Sequence, residues 1–225
     1  MGSDPLDTEV MELKEKRIIV TGCASGMGAA TVRAYVKAGA QVVGMDISEA
    51  AGSEVCADAE GSGTATFLPV DVGDTDRVQE TFAAAVDLMG GLDTLAHPAA
   101  IHAANSASEV SATDWDHLFA VNVRGTMLTN QTAHKYLKDA GGGAIINFGS
   151  ISGQRPEPSA AAYSASKGAV HAWTRTAAGT WGVDNVRVNA VLPAIRTPMF
   201  EAAKVGLSEE ELNMKYWRNE QSIAL

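Results

Sequence analysis

Cysteine is scarce: Cys23 and Cys56 are the only two in 225 residues. That excludes a disulfide framework, which needs several paired cysteines, and a chain of this length buries enough core to hold together without staples. Positive charge is in deficit. Seventeen Lys and Arg stand against 27 Asp and Glu, a net charge of −10. This balance argues against sequence-independent nucleic-acid binding, where a basic face must displace counterions, and against an anionic membrane surface. No apolar run approaches the ~20 residues of a membrane helix, and the acidic start from Met1 to Glu9 lacks an apolar signal segment. The five histidines are scattered, with no His-Glu-x-x-His or paired-cysteine pattern, so no metal site is expected. The cytoplasm is the expected location.

What is present is an alternation of strand-length apolar runs and Ala-rich stretches of helical period. Strands are predicted over Arg17–Thr21, Gln41–Met45, Thr64–Val70, Leu92–Ala96, Ala144–Phe148 and Val186–Leu192. Helices are predicted over Gly26–Ala38, Ser48–Ala59, Thr75–Met89, Ser111–Leu137 and Ala161–Gly182, with Ser111 and Asp114 as a capping start. Strands alternating with long crossovers imply an α/β fold: a Rossmann-type doubly wound, mostly parallel sheet with helices on both faces. One dinucleotide-binding and catalytic domain is expected over 15–225, preceded by a flexible tail over 1–14. The more polar stretch 199–221 reads as one or two substrate-loop helices.

Thr21-Gly22-Cys23-Ala24-Ser25-Gly26-Met27-Gly28 falls where the first strand hands over to the first helix. Glycines there permit a tight turn and let the backbone approach a pyrophosphate, while the helix N-terminus offers unpaired N–H groups. The spacing departs from the common G-x-G-x-x-G and could mark a bare turn. Asp46, however, ends the second strand 18 residues after Gly28, close to where a carboxylate binds the adenosine ribose hydroxyls. No Arg or Lys stands beside it in Met45-Asp46-Ile47-Ser48, so NAD is expected rather than its 2′-phosphorylated form. The alternative for Asp46 is a cap on the next helix.

Tyr163 and Lys167 are four residues apart at the head of a long helix, on one face. A free phenol is a poor base at neutral pH, and a nearby ammonium, with the positive nicotinamide ring, favours its phenolate. Ser150 closes the preceding strand, where a hydroxyl can hold a substrate oxygen.

Together these pieces resemble the classical short-chain dehydrogenases/reductases over about residues 15 to 200. The match rests on Thr21 to Gly28, Asp71-Val72, Val121-Asn122-Val123, Ser150 thirteen residues before Tyr163, Lys167, and Val188-Asn189-Ala190-Val191-Leu192-Pro193. The resemblance implies a catalytic group of Asn122, Ser150, Tyr163 and Lys167. Tyr163 would exchange a proton with an alcohol or ketone and Ser150 would bond its oxygen. Lys167 would lower the Tyr163 pKa and hold the nicotinamide ribose, and Asn122 would bend its helix and anchor a relay water. Asp71 would reach the adenine amine. Gly22, Ser25, Gly26, Met27, Gly28, Asp46, Ile47, Val72, Ala99, Pro193, Ile195 and Thr197, with Tyr163 and Lys167 themselves, complete the implied cofactor contacts. A small-molecule alcohol or ketone is the implied substrate, and a homo-oligomer, tetramer or dimer, the implied assembly through the two long helices. Small residues at Ala165, Ala169, Ala172 and Ala177 would permit that packing. A non-catalytic NAD(H)-binding sensor or scaffold on the same fold is the alternative function.

Three stretches depart from the family pattern. His97-Pro98-Ala99-Ala100 replaces the usual Asn-Asn-Ala-Gly. Pro98 has no N–H to donate, and His97 is expected to be a structural replacement rather than a pH-sensitive contact. Pro193-Ala194-Ile195-Arg196-Thr197 lacks the family's glycine. The family normally runs some thirty residues further and closes its sheet with a seventh strand, so either that strand lies outside this sequence or the sixth strand is an exposed edge. Substrate selection is expected from Ile101–Ser106, Ile151–Ala160 and Met199–Trp217, which carry His102, Asn105, Gln154, Arg155, Phe200, Tyr216 and Trp217.

Overall fold

The computed structural model describes residues 12–193 and 208–212. Its strands are β1 (Arg17–Thr21), β2 (Gln41–Asp46), β3 (Thr64–Pro69), β4 (Thr94–His97), β5 (Gly143–Phe148) and β6 (Val186–Val191). They form one parallel sheet in the order β3-β2-β1-β4-β5-β6. The intervening helices are α1 (Gly26–Lys37), α2 (Glu49–Ala57), α3 (Thr75–Met89), α4 (Ala112–Phe119), α5 (Gly125–Asp139) and α6 (Ala161–Trp181). The fold is the doubly wound arrangement expected from the alternation. Strand order reverses between β1 and β4, and in such sheets the crevice at the reversal, outside the carboxyl ends of the strands, receives ligands.

Both faces of the sheet are covered, which is why its strands read as unbroken apolar runs. Alternate residues of β1 serve the two sides. Ile18 and Val20 pack with Val32, Val36 and Val55 under α1 and α2. Ile19 packs with Leu95, Ile145, Phe82, Leu128 and Leu137 under α3 and α5. Each such fully buried side chain stabilises the fold by roughly 1.5–3 kcal/mol. Opposite the ligand end, Arg17 clamps Asp93 with two charge-assisted bonds, Nε–Oδ2 at 2.9 Å and Nη2–Oδ1 at 2.8 Å. It thereby fixes the start of β1 against the approach to β4, and it holds the Asp93 carboxyl below its ordinary pKa.

Helix starts follow capping chemistry where the residues supply it. Asp74 accepts the amides of Asp76 and Arg77 at 3.1 Å each, and Ser111 accepts that of Asp114 at 3.1 Å. The helix expected over Ser111–Leu137 is not uniform: Ala120–Arg124 forms a π-type turn between α4 and α5. The other predicted bounds shift by a residue or two, and the end of the last predicted helix, at Gly182, tightens into a 3-10 turn at Gly182–Asp184. Among the described residues β6 is an edge strand. Of the stretch 199–221, only residues 208–212 are described, with a helical turn at Glu209–Leu212. The rest of that expectation lies outside the described residues.

Candidate active site

At the carboxyl end of β1 the chain turns through Gly22, at φ +61°, into α1. A Cβ at Gly22 would sit 2.7 Å from the Ala99 Cα and 2.8 Å from its nitrogen, and one at Gly28 would strike the Gly22 carbonyl. The loop is therefore a backbone surface, pressed against the Pro98-Ala99 wall and open to close approach. Ser25 is the N-cap of α1, in extended conformation, and its side chain makes no capping bond. The first turn holds no acidic residue. The helix start thus carries no acidic residue of its own to occupy its N–H groups and positive pole, and the cradle fits a dinucleotide pyrophosphate.

Asp46 braces this loop. Its Oδ2 accepts the Ala24 amide at 3.0 Å and its Oδ1 the Ser48 amide at 2.9 Å. The helix-cap alternative is thus realised only in part, as a turn to Ser48, while the other oxygen ties β2 to the glycine loop. Ile47 beside it is exposed. One strand further out, Asp71 accepts the Gly73 amide at 2.8 Å, and Val72 is buried against Gly125 at the head of α5. Gly22, Ser25, Gly26, Met27, Gly28, Asp46, Ile47, Asp71, Val72 and Ala99 thus share the carboxyl rim of β1 to β4. Pro193 lies two residues past β6, and Ile195 and Thr197 lie outside the described residues.

On the other side of the crevice, α6 carries Tyr163 and Lys167. Its first amide, at Ala161, donates to the Asn105 carbonyl at 3.0 Å, so the loop after β4 caps the helix. The Lys167 ammonium lies 5.6 Å from the Tyr163 ring centroid and donates to the Phe148 carbonyl at 2.7 Å. Lys167 is buried, and burial pulls its pKa down to about 8. Burial pushes Tyr163 above the ordinary phenol value, while a hydrogen bond with Ser150 pulls it back. In the chain by itself, desolvation outweighs that bond, so an added positive charge is what would bring the phenolate within reach. The His102 ring stands against Tyr163, centroids 4.8 Å apart and tilted by 59°.

Asn122 sits in the π-type turn. Its side chain pairs with the Ile101 backbone in both directions, Oδ1 accepting at 2.8 Å and Nδ2 donating at 2.9 Å. Nδ2 also donates to the Ser166 hydroxyl at 3.1 Å, which donates in turn to the Tyr163 carbonyl at 2.7 Å. Asn122 therefore connects the loop after β4 to α6. Ser166 was not foreseen, although its place three residues after Tyr163 puts it one turn along the same side of α6.

His97 is buried, and burial and then Lys167 drive its pKa down to about 3, leaving it neutral. Its Nδ1 lies 2.8 Å from the Thr21 hydroxyl and 3.2 Å from that of Thr129. The expected structural replacement is what the geometry shows: His97 joins the end of β1 to α5. Ser150 keeps its hydroxyl at 3.2 Å from the Ser152 amide, which donates to it. The Ser150 amide in turn donates to His171 Nε2 at 3.3 Å. His171 escaped the sequence reading, though it repeats the Tyr163–Lys167 interval one turn further along α6.

The model of the short chain dehydrogenase family matches residues 16–206. The chain belongs to that family. Among this short-chain dehydrogenase's relatives, D-threitol dehydrogenase of Mycolicibacterium smegmatis is 35% identical over 184 residues, 81% of this chain and 71% of that protein. Cis-4-hydroxycyclohexanecarboxylate dehydrogenase of Sinomonas cyclohexanicum is 35% identical over 180 residues, covering 80% and 72%. A solved short-chain type dehydrogenase/reductase from Mycobacterium marinum superposes with a TM-score of 0.78 at 30% identity, covering 82% of this chain and 76% of that one. The short-chain dehydrogenase described above is accordingly an oxidoreductase of this family, whose members typically use a nicotinamide cofactor.

Proposed function

We propose that this short-chain dehydrogenase interconverts a secondary alcohol and a ketone with NAD, using Tyr163 as general acid and base. The observation that carries the reading is the Lys167 ammonium 5.6 Å from the Tyr163 ring, one turn apart on α6 and beside the Ser150 loop at the same rim. When bound, the oxidised nicotinamide accepts a hydride from the carbinol carbon and adds positive charge to the site. Tyr163 takes the hydroxyl proton in the oxidising direction and returns it in the reducing one. Ser150 bonds the substrate oxygen as charge builds on it, a donor already held in place. Lys167 has two N–H donors beyond the one given to Phe148, which suit ribose hydroxyls, and its charge favours the phenolate. Asn122 holds the loop and helix that frame the reacting oxygen and anchors the proton relay.

The Gly22–Gly28 cradle takes the pyrophosphate, Asp46 the adenosine ribose, and exposed Ile47 the adenine face. Asp71 and Val72 reach the adenine edge, and Ala99 and Pro193 the nicotinamide side. Asp46 favours NAD because a 2′-phosphate would meet a carboxylate with no neighbouring cation. The relatives named for a tetritol and a hydroxycyclohexane support a polyhydroxy or cyclic secondary alcohol as the substrate class. A homo-oligomer forms through α4, α5 and α6. Supporting it are the stacked Trp115–Phe119 pair, 4.4 Å between centroids, and a groove of about 620 Å³ that reaches Val123, Met127 and Trp173. Ala165 and Ala172 are exposed on α6, whereas Ala177 packs into the core. A monomer by light scattering would refute this assembly.

The deciding experiment is titration with NADH and NADPH by Trp fluorescence quenching, followed by turnover of D-threitol, cis-4-hydroxycyclohexanecarboxylate and cyclohexanol. NADH is expected to bind at least ~10-fold tighter, with the preference lost in Asp46→Ala. Tyr163→Phe is expected to lower kcat by roughly 10³-fold and to leave NADH binding unchanged. Binding without hydride transfer to or from any alcohol or ketone would refute the reading.

A further inference from the structure

The amide of Ser150 lies just past the hydrogen-bond ladder of β5. Amides along this strand alternate between neighbours: Gly143 donates to Asn185 beside β6, Ala144 to Asp93 beside β4, and Gly149 to Val191 of β6. By that alternation the Ser150 amide points to the β4 side, but β4 has ended at His97, opposite Asn147. A buried amide without an acceptor costs about 1–3 kcal/mol. The imidazole of His171 takes the place of the missing strand, its Nε2 accepting the Ser150 N–H at 3.3 Å.

The loop around Ser150 is shaped to this ring. A Cβ at Gly149 would meet the His171 Cδ2 at 2.7 Å, and one at Gly153 would meet its Cε1 at 2.8 Å. Two glycines flank the serine and leave room for one imidazole between them. His171 itself is buried, and burial, with Arg175 one turn on and Lys167 one turn back, keeps its pKa low and the ring neutral. Only the neutral ring with its proton on Nδ1 can accept at Nε2.

We propose that His171 is a positioning residue: its Nε2 lone pair anchors the Ser150 amide and so sets where the Ser150 hydroxyl meets the substrate oxygen. This rests on the reading of Ser150 as the group that holds that oxygen. Tyr163, Lys167 and His171 then form one stripe at successive turns of α6, and a single rigid helix places both the proton-transfer phenol and the serine opposite it. Rigid placement matters because displacements near 1 Å at a reacting centre cost up to about 10²-fold in rate.

Two measurements test it. In protein with ¹⁵N-labelled histidine, long-range proton–nitrogen correlations are expected to show His171 protonated on Nδ1 and bare on Nε2; a proton on Nε2 overturns the proposal and needs no substrate to detect. In turnover of whichever of the three alcohols the wild type oxidises fastest, His171→Leu is expected to lower kcat roughly 10- to 100-fold. Its KM for NAD should stay within about threefold, because the glycine loop and Asp46 are untouched. His171→Gln, which keeps an acceptor at the same reach, is expected to recover most of the loss. Wild-type kcat in His171→Leu, or no recovery in His171→Gln, overturns the proposal. Should His171→Leu fail to fold, the tautomer and the glutamine variant still decide. A wild type that oxidises no alcohol sinks the oxidoreductase reading and this inference with it; an active wild type indifferent to His171→Leu sinks the inference alone.

Discussion

The two halves of the sheet's carboxyl rim solve the same problem by opposite means. On the β1–β3 side the site is built from backbone: Gly22 and Gly28 keep side chains out, and Asp46 and Asp71 bond main-chain amides. On the β4–β6 side it is built from side chains that cross between elements: Asn122 to Ser166, His97 to Thr21 and Thr129, Asn130 to Asn147, Lys167 to Phe148. A surface of main-chain donors is suited to a constant anionic ligand. A buried network of side chains fixes the few groups whose pKa and position the chemistry needs, and it carries the cost of burying them. The binding half should therefore fail through added bulk, and the catalytic half through changed charge.

The largest break is expected on the first side. Gly28→Ala puts a methyl into the Gly22 carbonyl and should weaken NADH binding by at least ~100-fold, about 2.7 kcal/mol, measured by fluorescence titration, with the fold retained by circular dichroism. On the other side, Lys167→Met should abolish turnover and yet stabilise the protein. The folded pKa of Lys167 is lowered to about 8 from 10.5, so between those values the unfolded chain holds more protons and wild-type stability rises with pH. The variant should thus be more stable at pH 7, by up to about 3 kcal/mol, and melt at a higher temperature, and its advantage should shrink as pH rises through 8 to 10.5. A variant less stable than wild type at pH 7 would refute the burial argument. The smallest effect tests the seam between the halves. With the His97 pKa lowered to about 3 from 6.5, the stability this residue contributes is complete above 6.5 and lost progressively as pH falls toward 3. His97→Asn should remove that loss, so the two melting curves should diverge below about pH 6.5, by about 1 kcal/mol near pH 5.5.

This contrast also explains what could be read from the residues alone. The glycine loop, Asp46 at the end of its strand and the Tyr163–Lys167 interval are local patterns, each confined to one turn or one helix face, and the strand order follows from regular alternation. What could not be read are pairings between distant elements. Nothing in the run His97-Pro98-Ala99-Ala100 says that Thr21 and Thr129 face the imidazole. Nothing near residue 150 says that its amide outlasts β4 and ends on His171. The π-type turn was legible only through the family resemblance, which implied that Asn122 bends its helix; Phe119 to Arg124 carries no proline or glycine to mark it. Among the small residues of α6, composition could not separate the buried Ala177 from the exposed Ala165 and Ala172.

The π-type turn at Ala120–Arg124 has a consequence for how this segment can vary. An α-helix advances about 100° per residue, so a turn wound one residue wider sets the phase of everything after it. With that phase, Leu128, Ala133 and Leu137 of α5 face the sheet while Trp115 of α4 stays at the surface. Removing a single residue between Phe119 and Gly125 would act like a frameshift in three dimensions: no side chain would change, yet α5 would rotate by more than a quarter turn and present its polar face to the core. A substitution away from Asn122 and Gly125 would act locally, whereas a change of length here would be felt along the whole of α5.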